Sequence, residues 1–259
     1  MTLNIVNPLR LSWNVQAAFK SSDRYGVDLN YIDLLKLIAS ISMIIDHVGA
    51  YFFPEYPVFR LLGRLAAPIF FFVAGLNVSS RFNVFMLVSG TLLTVLTYQV
   101  DGYLLFNILL NLLLIRYAFN HRWMQLINPK RPEVFFLICI LGNAIVMNFL
   151  EYGLLGWLIA WCGYWIKKGE IKDGWLLWLS LCIFFVFNIL AFSASGTTLN
   201  VWGCVIEVVT LHQLMLRYQS TWKCPCPRWV LIFARNTLWV YVIHLSGIKI
   251  FYYYEYILN

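Results

Sequence analysis

The sequence predicts an all-α, polytopic membrane protein, a bundle of about nine (eight or nine) transmembrane helices. Three observations predict this class. Of the 259 residues, 61% are hydrophobic and only 12% are charged, whereas a soluble domain carries about 25% charged residues. The mean hydropathy is high, at +0.72. Long apolar segments also recur along the chain, so its surface needs lipid to cover it.

The predicted spans are mostly apolar segments near the roughly 20 residues that a helix needs to cross a bilayer. The candidates are 32–53, 58–78, 83–99, 103–119, 134–150, 152–166, 174–193, 198–217 and 229–251. The junction between residues 150 and 152 is tight, so the two segments beside it form either a hairpin or a broken helix. The alternative of eight spans rests on that junction.

Residues 1–31 are polar and mixed, which predicts a cytoplasmic N-terminal arm before one transmembrane domain over 32–259. The arm lacks the apolar core and the cleavage site of a signal peptide. Four of the six cysteines lie in apolar segments, where they pack as small side chains. Cys224 and Cys226 alone fall short of the ligand set of a structural zinc site, so no metal site is predicted.

The distribution of basic residues predicts a cytoplasmic N-terminus in a bacterial inner membrane. With the N-terminus inside, the even-numbered loops carry most of the lysine and arginine, as cytoplasmic loops do. These residues are Arg81, Arg116, Arg122, Lys130, Arg131, Lys167, Lys168, Lys172, Arg217, Lys223 and Arg228. The same bias explains the net charge of +7 without a nucleic-acid partner. The alternative is that the loop from Arg116 to Arg131 also binds the phosphates of a cofactor.

The first predicted span contains ionisable residues, which are costly inside a bilayer and mark a functional site or its supports. They are Asp33, Lys36, Asp46 and His47. At about 100° per residue, Asp33, Lys36 and His47 share one helical face within about 60°. We expect this face to line a water-filled cavity. Asp46 lies about 100° away from His47, so we expect it to pair with another helix.

Polar residues of other spans lie at a similar predicted depth, in the outer half of the bilayer. His47 is about six residues, or roughly 9 Å, from the outer end of its span. Arg64, Asn107 and His244 are about four to seven residues from the outer ends of theirs, and Glu207 is near mid-membrane. The hypothesis is that these side chains converge on one site.

The chemistry of this set leaves three interpretations open. A neutral histidine takes a proton from an amine or hydroxyl nucleophile, and Arg64 either balances Asp46 or stabilises an oxyanion. The sequence contains no nucleophile elbow, no His-Glu-x-x-His and no phosphate-binding glycine loop. The set therefore fits acyl transfer, proton coupling in a transporter, or a structural polar network between helices.

Two segments carry a family resemblance: YIDLLKLIASISMIIDHVGAYFFP and FRLLGRLAAPIFFFVAGLNVSSR. Their distinctive elements are Lys36, Met43, Asp46-His47, Gly63-Arg64, Pro68-x-Phe70 and Gly75-Leu76-Asn77 with Arg81. Shorter segments around Asn107, Tyr152 and His244 follow in the same order. On these motifs, residues 31–250 resemble the TraX family of F-type pilin acetyltransferases.

The resemblance implies transfer of an acetyl group from acetyl-CoA to the N-terminal amine of processed pilin. It also implies kinship with membrane acyltransferases that move acyl groups from cytoplasmic thioesters to extracytoplasmic acceptors. His47 is then the general base or acetyl carrier, and Asp46 orients it or balances its charge. Arg64 holds a carbonyl or pairs with Asp46, and His244 is a second acid/base residue. The residues implied in cofactor binding are Lys36, Arg81, Asn77 and Asn107, of which Lys36 and Arg81 meet the CoA phosphates.

Other functions remain open. The acceptor is pilin or another extracytoplasmic group, and a glycan O-acetyltransferase uses the same chemistry. A non-enzymatic pilus assembly or accessory protein binds the apolar helix of pilin instead. A transporter with a proton path through Asp46, His47 and Glu207 is disfavoured, because broken helices do not repeat in two halves. Glu151 and Glu207 are interpreted as helix-end and core groups rather than as catalytic residues.

Overall fold

The fold is almost entirely helical, which confirms the all-α part of the prediction. The computed structural model of the chain describes residues 28–79, 82–102, 104–121, 127, 131–171, 174–194, 201–218 and 221–256. The helices in these ranges are α1 Tyr31–Phe52, α2 Pro57–Gly63, α3 Ala66–Leu76, α4 Val84–Asp101, α5 Ile108–Asn120, α6 Glu133–Val146, α7 Leu155–Lys167, α8 Trp175–Ala194, α9 Val201–Leu216, α10 Arg228–Arg235 and α11 Thr237–Tyr256. Two short strands, β1 Asp28–Asn30 and β2 Lys223–Pro225, pair in an antiparallel ribbon.

The predicted spans overlap these helices, but few helices are long and apolar enough to cross a bilayer alone. Among the described residues, Pro57–Leu76 and Val84–Asp101 meet that criterion, and the bent pair α10–α11 is a third if it counts as one span. Helix α1 has 22 residues but contains three charged side chains. Helices α5, α6, α8 and α9 are apolar but shorter. The count of about nine spans and the cytoplasmic N-terminus remain predictions.

The second predicted span, 58–78, is interrupted between α2 and α3. Pro68 has no N–H to donate to the carbonyl of Arg64, so the helical hydrogen bonds lapse there. Gly63, at the end of α2, lies against α1, where an added Cβ would be 2.2 Å from the Cβ of Asp46. The interruption and this close approach together place Arg64 next to the second half of α1.

The last predicted span, 229–251, is a bent pair of helices rather than one straight helix. Helices α10 and α11 are bent by 77° at Asn236. Arg235 donates hydrogen bonds to Asp33 at 2.9 Å and to the carbonyl of Asp28 at 3.0 Å. Leu231 and Ala234 pack in a small apolar cluster with Leu29. Because these contacts hold α10 against β1 and the start of α1, only α11 runs alongside α1.

The fourth and fifth predicted spans, 103–119 and 134–150, are longer than the helices found there. Helix α5 begins at Ile108 and α6 ends at Val146. Between them, Phe106 donates to the carbonyl of Phe149 at 2.8 Å and accepts from the N–H of Glu151 at 2.9 Å. A non-helical backbone inside a membrane protein needs such partners, since lipid offers none. Residues 147–154 are therefore a non-helical, hydrogen-bonded connection between α6 and α7.

Helices α3 and α7 form the centre of the fold, and nearly all of their side chains are buried. They approach so closely that a Cβ added to Gly75 would be 1.9 Å from the carbonyl oxygen of Ala160. At Gly163, an added Cβ would be 2.5 Å from the carbonyl oxygen of Phe72. Glycines at such positions let two backbones come into contact, as is common between membrane helices.

We expect Gly75→Ala to destabilise the protein, because the new methyl group has no room between α3 and α7. Overpacking of a tight core costs about 1–3 kcal/mol. The matched control is Gly247→Ala in α11, where nothing lies within 4 Å of the added Cβ. At Gly247 only the helix propensity changes, and it favours alanine over glycine by about 1 kcal/mol of helix stability. Thermal unfolding of both variants in detergent measures the difference. Equal unfolding temperatures for both would contradict the close packing.

Candidate active site

An open cavity of about 1030 Å³ lies beside the second half of α1. It is bordered by α1, α2, α4, α6, α8 and α11, by the starts of α5 and α7 and by the 147–154 connection. Its polar and charged lining comprises Asp46, His47, Tyr51, Arg60, Arg64, Thr97, Asp101, Asn107, Asn143, Glu151, Tyr152, Asn188, Tyr241, Lys249 and Tyr252. A large concave site with converging polar groups is the usual form of a ligand-binding or active site.

His47 and His244 form a direct hydrogen bond within this region. Nδ1 of His47 lies 2.7 Å from Nε2 of His244, and the two rings are stacked with an interplanar angle of 18°. Nδ1 of His244 lies 2.6 Å from the carbonyl oxygen of Val240, one turn earlier in α11.

These contacts assign the tautomers of the two neutral rings. The carbonyl of Val240 only accepts, so Nδ1 of His244 carries a proton and its Nε2 does not. His47 must then donate from Nδ1, which leaves a lone pair on its Nε2. That nitrogen lies on the side of the ring away from His244. His47 lines the cavity, so it presents a proton acceptor whose orientation α11 fixes.

Asp46 pairs with a neighbouring helix, as its direction on α1 predicted. Its Oδ2 accepts from Nη1 of Arg60 at 2.8 Å. Arg60 belongs to α2, and sequence reasoning assigned it no role. His47 is oriented by the hydrogen bond that it donates to His244, whereas the carboxylate of Asp46 pairs with Arg60. Asp46 thus contributes to the charge balance of the cavity through Arg60.

Arg64 is a buried guanidinium on the cavity lining, with only 7% of its surface exposed. Its Nη1 lies 3.4 Å from the hydroxyl of Tyr152. The carboxylates of Asp46, Glu151 and Glu207 lie close enough to interact with its charge. A buried cation needs such partners to offset lost hydration. Arg64 therefore holds a fixed positive charge at the same cavity that His47 lines.

Polar groups at the start of α5 form a hydrogen-bond network that borders the cavity. Oε2 of Glu151 accepts from the N–H of Ile108 at 2.8 Å, which matches its interpretation as a helix-end group. The Asn111 amide donates to the carbonyls of Glu151 at 2.8 Å and Gly153 at 3.0 Å. Asn107 is the N-cap of α5, and its amide donates to the hydroxyl of Tyr241 at 2.7 Å. This network fixes the 147–154 connection against α5.

A second charged group borders the cavity near the ends of α1, α4 and α11. Lys249, buried on α11, pairs with Asp101 at 2.7 Å and donates to the hydroxyl of Tyr51. The Tyr51 hydroxyl lies 3.2 Å from Asp101. These contacts tie three helices together. Since Arg60, Arg64 and Lys249 face Asp46, Asp101 and Glu151, the formal charges of the lining cancel.

The structure brings five of the predicted site residues together. Asp46, His47, Arg64 and Asn107 line the cavity, and His244 contacts His47 directly. Lys36 and Asn77 lie apart from this lining. Lys36 is half-buried near Asp33, Arg116 and Arg235, Asn77 caps the end of α3, and Arg81 lies outside the described residues.

Sequence reasoning missed Arg60, Tyr152, Tyr241 and the Lys249 group. For Tyr241 a signal was present, because it precedes His244 by three residues and so shares its face of α11. For Arg60 and Lys249, no pattern in the sequence indicated a place in the site.

The fold and this cavity define a membrane protein of apolar helices that enclose a polar site with paired histidines and a buried arginine. The model of the family described as TraX protein matches residues 31–245. The chain belongs to the TraX family, which confirms the resemblance and indicates a pilin-related membrane protein. It is also similar to an uncharacterized protein of Rickettsia prowazekii (strain Madrid E), with 27% identity over 248 residues, 88% of this chain and 94% of the relative. No solved structure matches the chain significantly.

Proposed function

We propose that this protein is an acetyltransferase of the bacterial inner membrane that moves an acetyl group from acetyl-CoA to the N-terminal amine of pilin. One observation carries the proposal: the hydrogen bond to His244 leaves the lone pair of His47 on Nε2, and both His47 and Arg64 line the cavity. A base and a fixed positive charge at one site are what acyl transfer requires. The family supplies the pilin connection.

The donor thioester enters from the side of the basic loops. Lys36 and Arg81 are the proposed partners of the CoA phosphates, and Lys36 lies close to the basic side chains Arg116 and Arg235. Along α1, Lys36 and His47 are about 16 Å apart. The long acyl-bearing arm of CoA spans such a distance, so the phosphates stay near the cytoplasmic end while the thioester reaches His47. The balanced charges of the cavity suit this neutral arm rather than the phosphates.

In the proposed reaction, the amine nitrogen attacks the thioester carbonyl carbon. Nε2 of His47 accepts the proton that the amine loses as the N–C bond forms. His244 keeps the ring in the required tautomer and stabilises the imidazolium through the shared hydrogen bond. The C–S bond then breaks, and the leaving thiolate takes up a proton from His47. Arg64 supplies positive charge for the oxyanion or holds the acceptor in place.

Mass spectrometry of pilin from cells with and without the gene tests the proposal. We expect pilin from producing cells to be heavier by one acetyl group, located on the N-terminal amine. Pilin of equal mass but lower abundance in the deletion strain would instead indicate an assembly factor. An acetyl group on a glycan hydroxyl would change the acceptor and retain the chemistry.

A further inference from the structure

The hydroxyl of Tyr241 has a hydrogen-bond direction that Asn107 fixes. Oδ1 of Asn107 accepts from the N–H of Leu109 at 2.9 Å, as an N-cap does. The amide nitrogen must therefore be the atom that faces Tyr241, and it donates to the tyrosine oxygen. The proton of Tyr241 is then left for another acceptor. In the part of the chain that the structure describes, no protein group accepts it.

Tyr241 is next to both histidines and borders the cavity. It is 5% exposed, and its ring centroid lies 5.9 Å from that of His47. The centroid of His244 is also 5.9 Å away, and both imidazoles meet the tyrosine ring edge to face. The cavity lining thus includes both His47, whose Nε2 is the proton acceptor, and Tyr241, whose hydroxyl has a proton to donate.

We infer that Tyr241 is a catalytic residue whose hydroxyl donates a hydrogen bond to the carbonyl oxygen of the thioester. The inference rests on the proposed acetyl transfer. As the amine attacks, the C=O π electrons move to oxygen, and the Tyr241 O–H stabilises the charge without losing its proton. When the C–S bond breaks, the carbonyl re-forms and the hydrogen bond weakens again. A donor aimed in advance at a developing oxyanion acts mainly on the transition state.

The test is Tyr241→Phe, which removes the oxygen and keeps the ring. In purified protein supplied with acetyl-CoA and a peptide bearing the pilin N-terminus, we expect kcat to fall about 100-fold while KM for acetyl-CoA stays within about twofold. The matched control is Tyr254→Phe, an exposed tyrosine of the same helix, which keeps full activity. The thermal unfolding temperature of each variant shows whether it is folded.

A second variant redirects the proton and leaves the tyrosine in place. Asn107→Asp still caps Leu109 with one oxygen, but its other oxygen accepts the Tyr241 proton. We expect the same loss of kcat, with no further loss in the double variant Tyr241→Phe/Asn107→Asp, because both changes remove one hydrogen bond. Full activity of folded Tyr241→Phe beside an active unmodified protein overturns this inference alone. Absence of acetyl transfer by the unmodified protein overturns the proposed function itself.

Discussion

His47→Ala is expected to abolish acetyl transfer, with a fall in turnover of about 1000-fold or more. The substitution removes the proton acceptor that faces the cavity and leaves His244 without its partner. The protein is expected to insert and fold, because His47 is only partly buried and is not part of the α3–α7 centre. The measurement is the acetylated fraction of pilin in cells that produce matched amounts of each protein.

The control for this prediction is His121→Ala, an exposed histidine at the end of α5, which should leave acetylation unchanged. The variant His244→Ala tests the orienting role of His244 separately from the role of His47 as the base. It leaves the His47 ring in the cavity but frees its tautomer, so we expect a smaller loss and a changed pH–rate profile. Full acetylation by a well-produced His47→Ala protein would remove His47 from the reaction.

Arg64→Lys is expected to lower turnover by about 100-fold although it conserves the charge. The planar guanidinium reaches Tyr152 and lies among several carboxylates at one position. An ammonium group is a compact point charge that cannot donate along several fixed directions at once. Steady-state rates for purified protein, with the unfolding temperature recorded in parallel, measure the effect.

Arg228→Lys is the matched control, because Arg228 is exposed at the start of α10 and far from the cavity lining. It should retain the activity of the unmodified protein. Normal turnover by Arg64→Lys would mean that positive charge suffices at this position. In that event, the donor geometry of the guanidinium would have no part in catalysis.

The helical class of the fold was predictable because apolar segments dominate the sequence at the length of helices. The breaks within the predicted spans were harder to predict. Pro68 was visible, but a proline near the start of a helix does not by itself predict that the preceding turn breaks at Arg64. The bend at Asn236 depends on Arg235 reaching Asp33 across some 200 residues of sequence. The hydropathy of the sequence does not predict such contacts between residues far apart in the chain.

For the candidate site, the sequence indicated the depth of each residue in the membrane better than it indicated which side chains contact each other. His47, Arg64 and Asn107 were expected at one level, and all three line one cavity. Which arginine pairs with Asp46 was not predictable, because Arg60 and Arg64 lie one turn apart on adjoining turns of the same apolar stretch. In the structure, the carboxylate of Asp46 pairs with Arg60. The direction in which the Tyr241 hydroxyl donates was likewise not predictable, because it depends on the capping of α5 by Asn107.

The central claim is that His47 takes the amine proton during acetyl transfer at this cavity. Its most direct test uses purified protein in lipid vesicles, labelled acetyl-CoA and a peptide with the free N-terminal amine of processed pilin. If His47 takes the amine proton, we expect labelled acetyl on that amine with the unmodified protein and only background label with His47→Ala. Equal labelling by the two proteins, both folded, would contradict it.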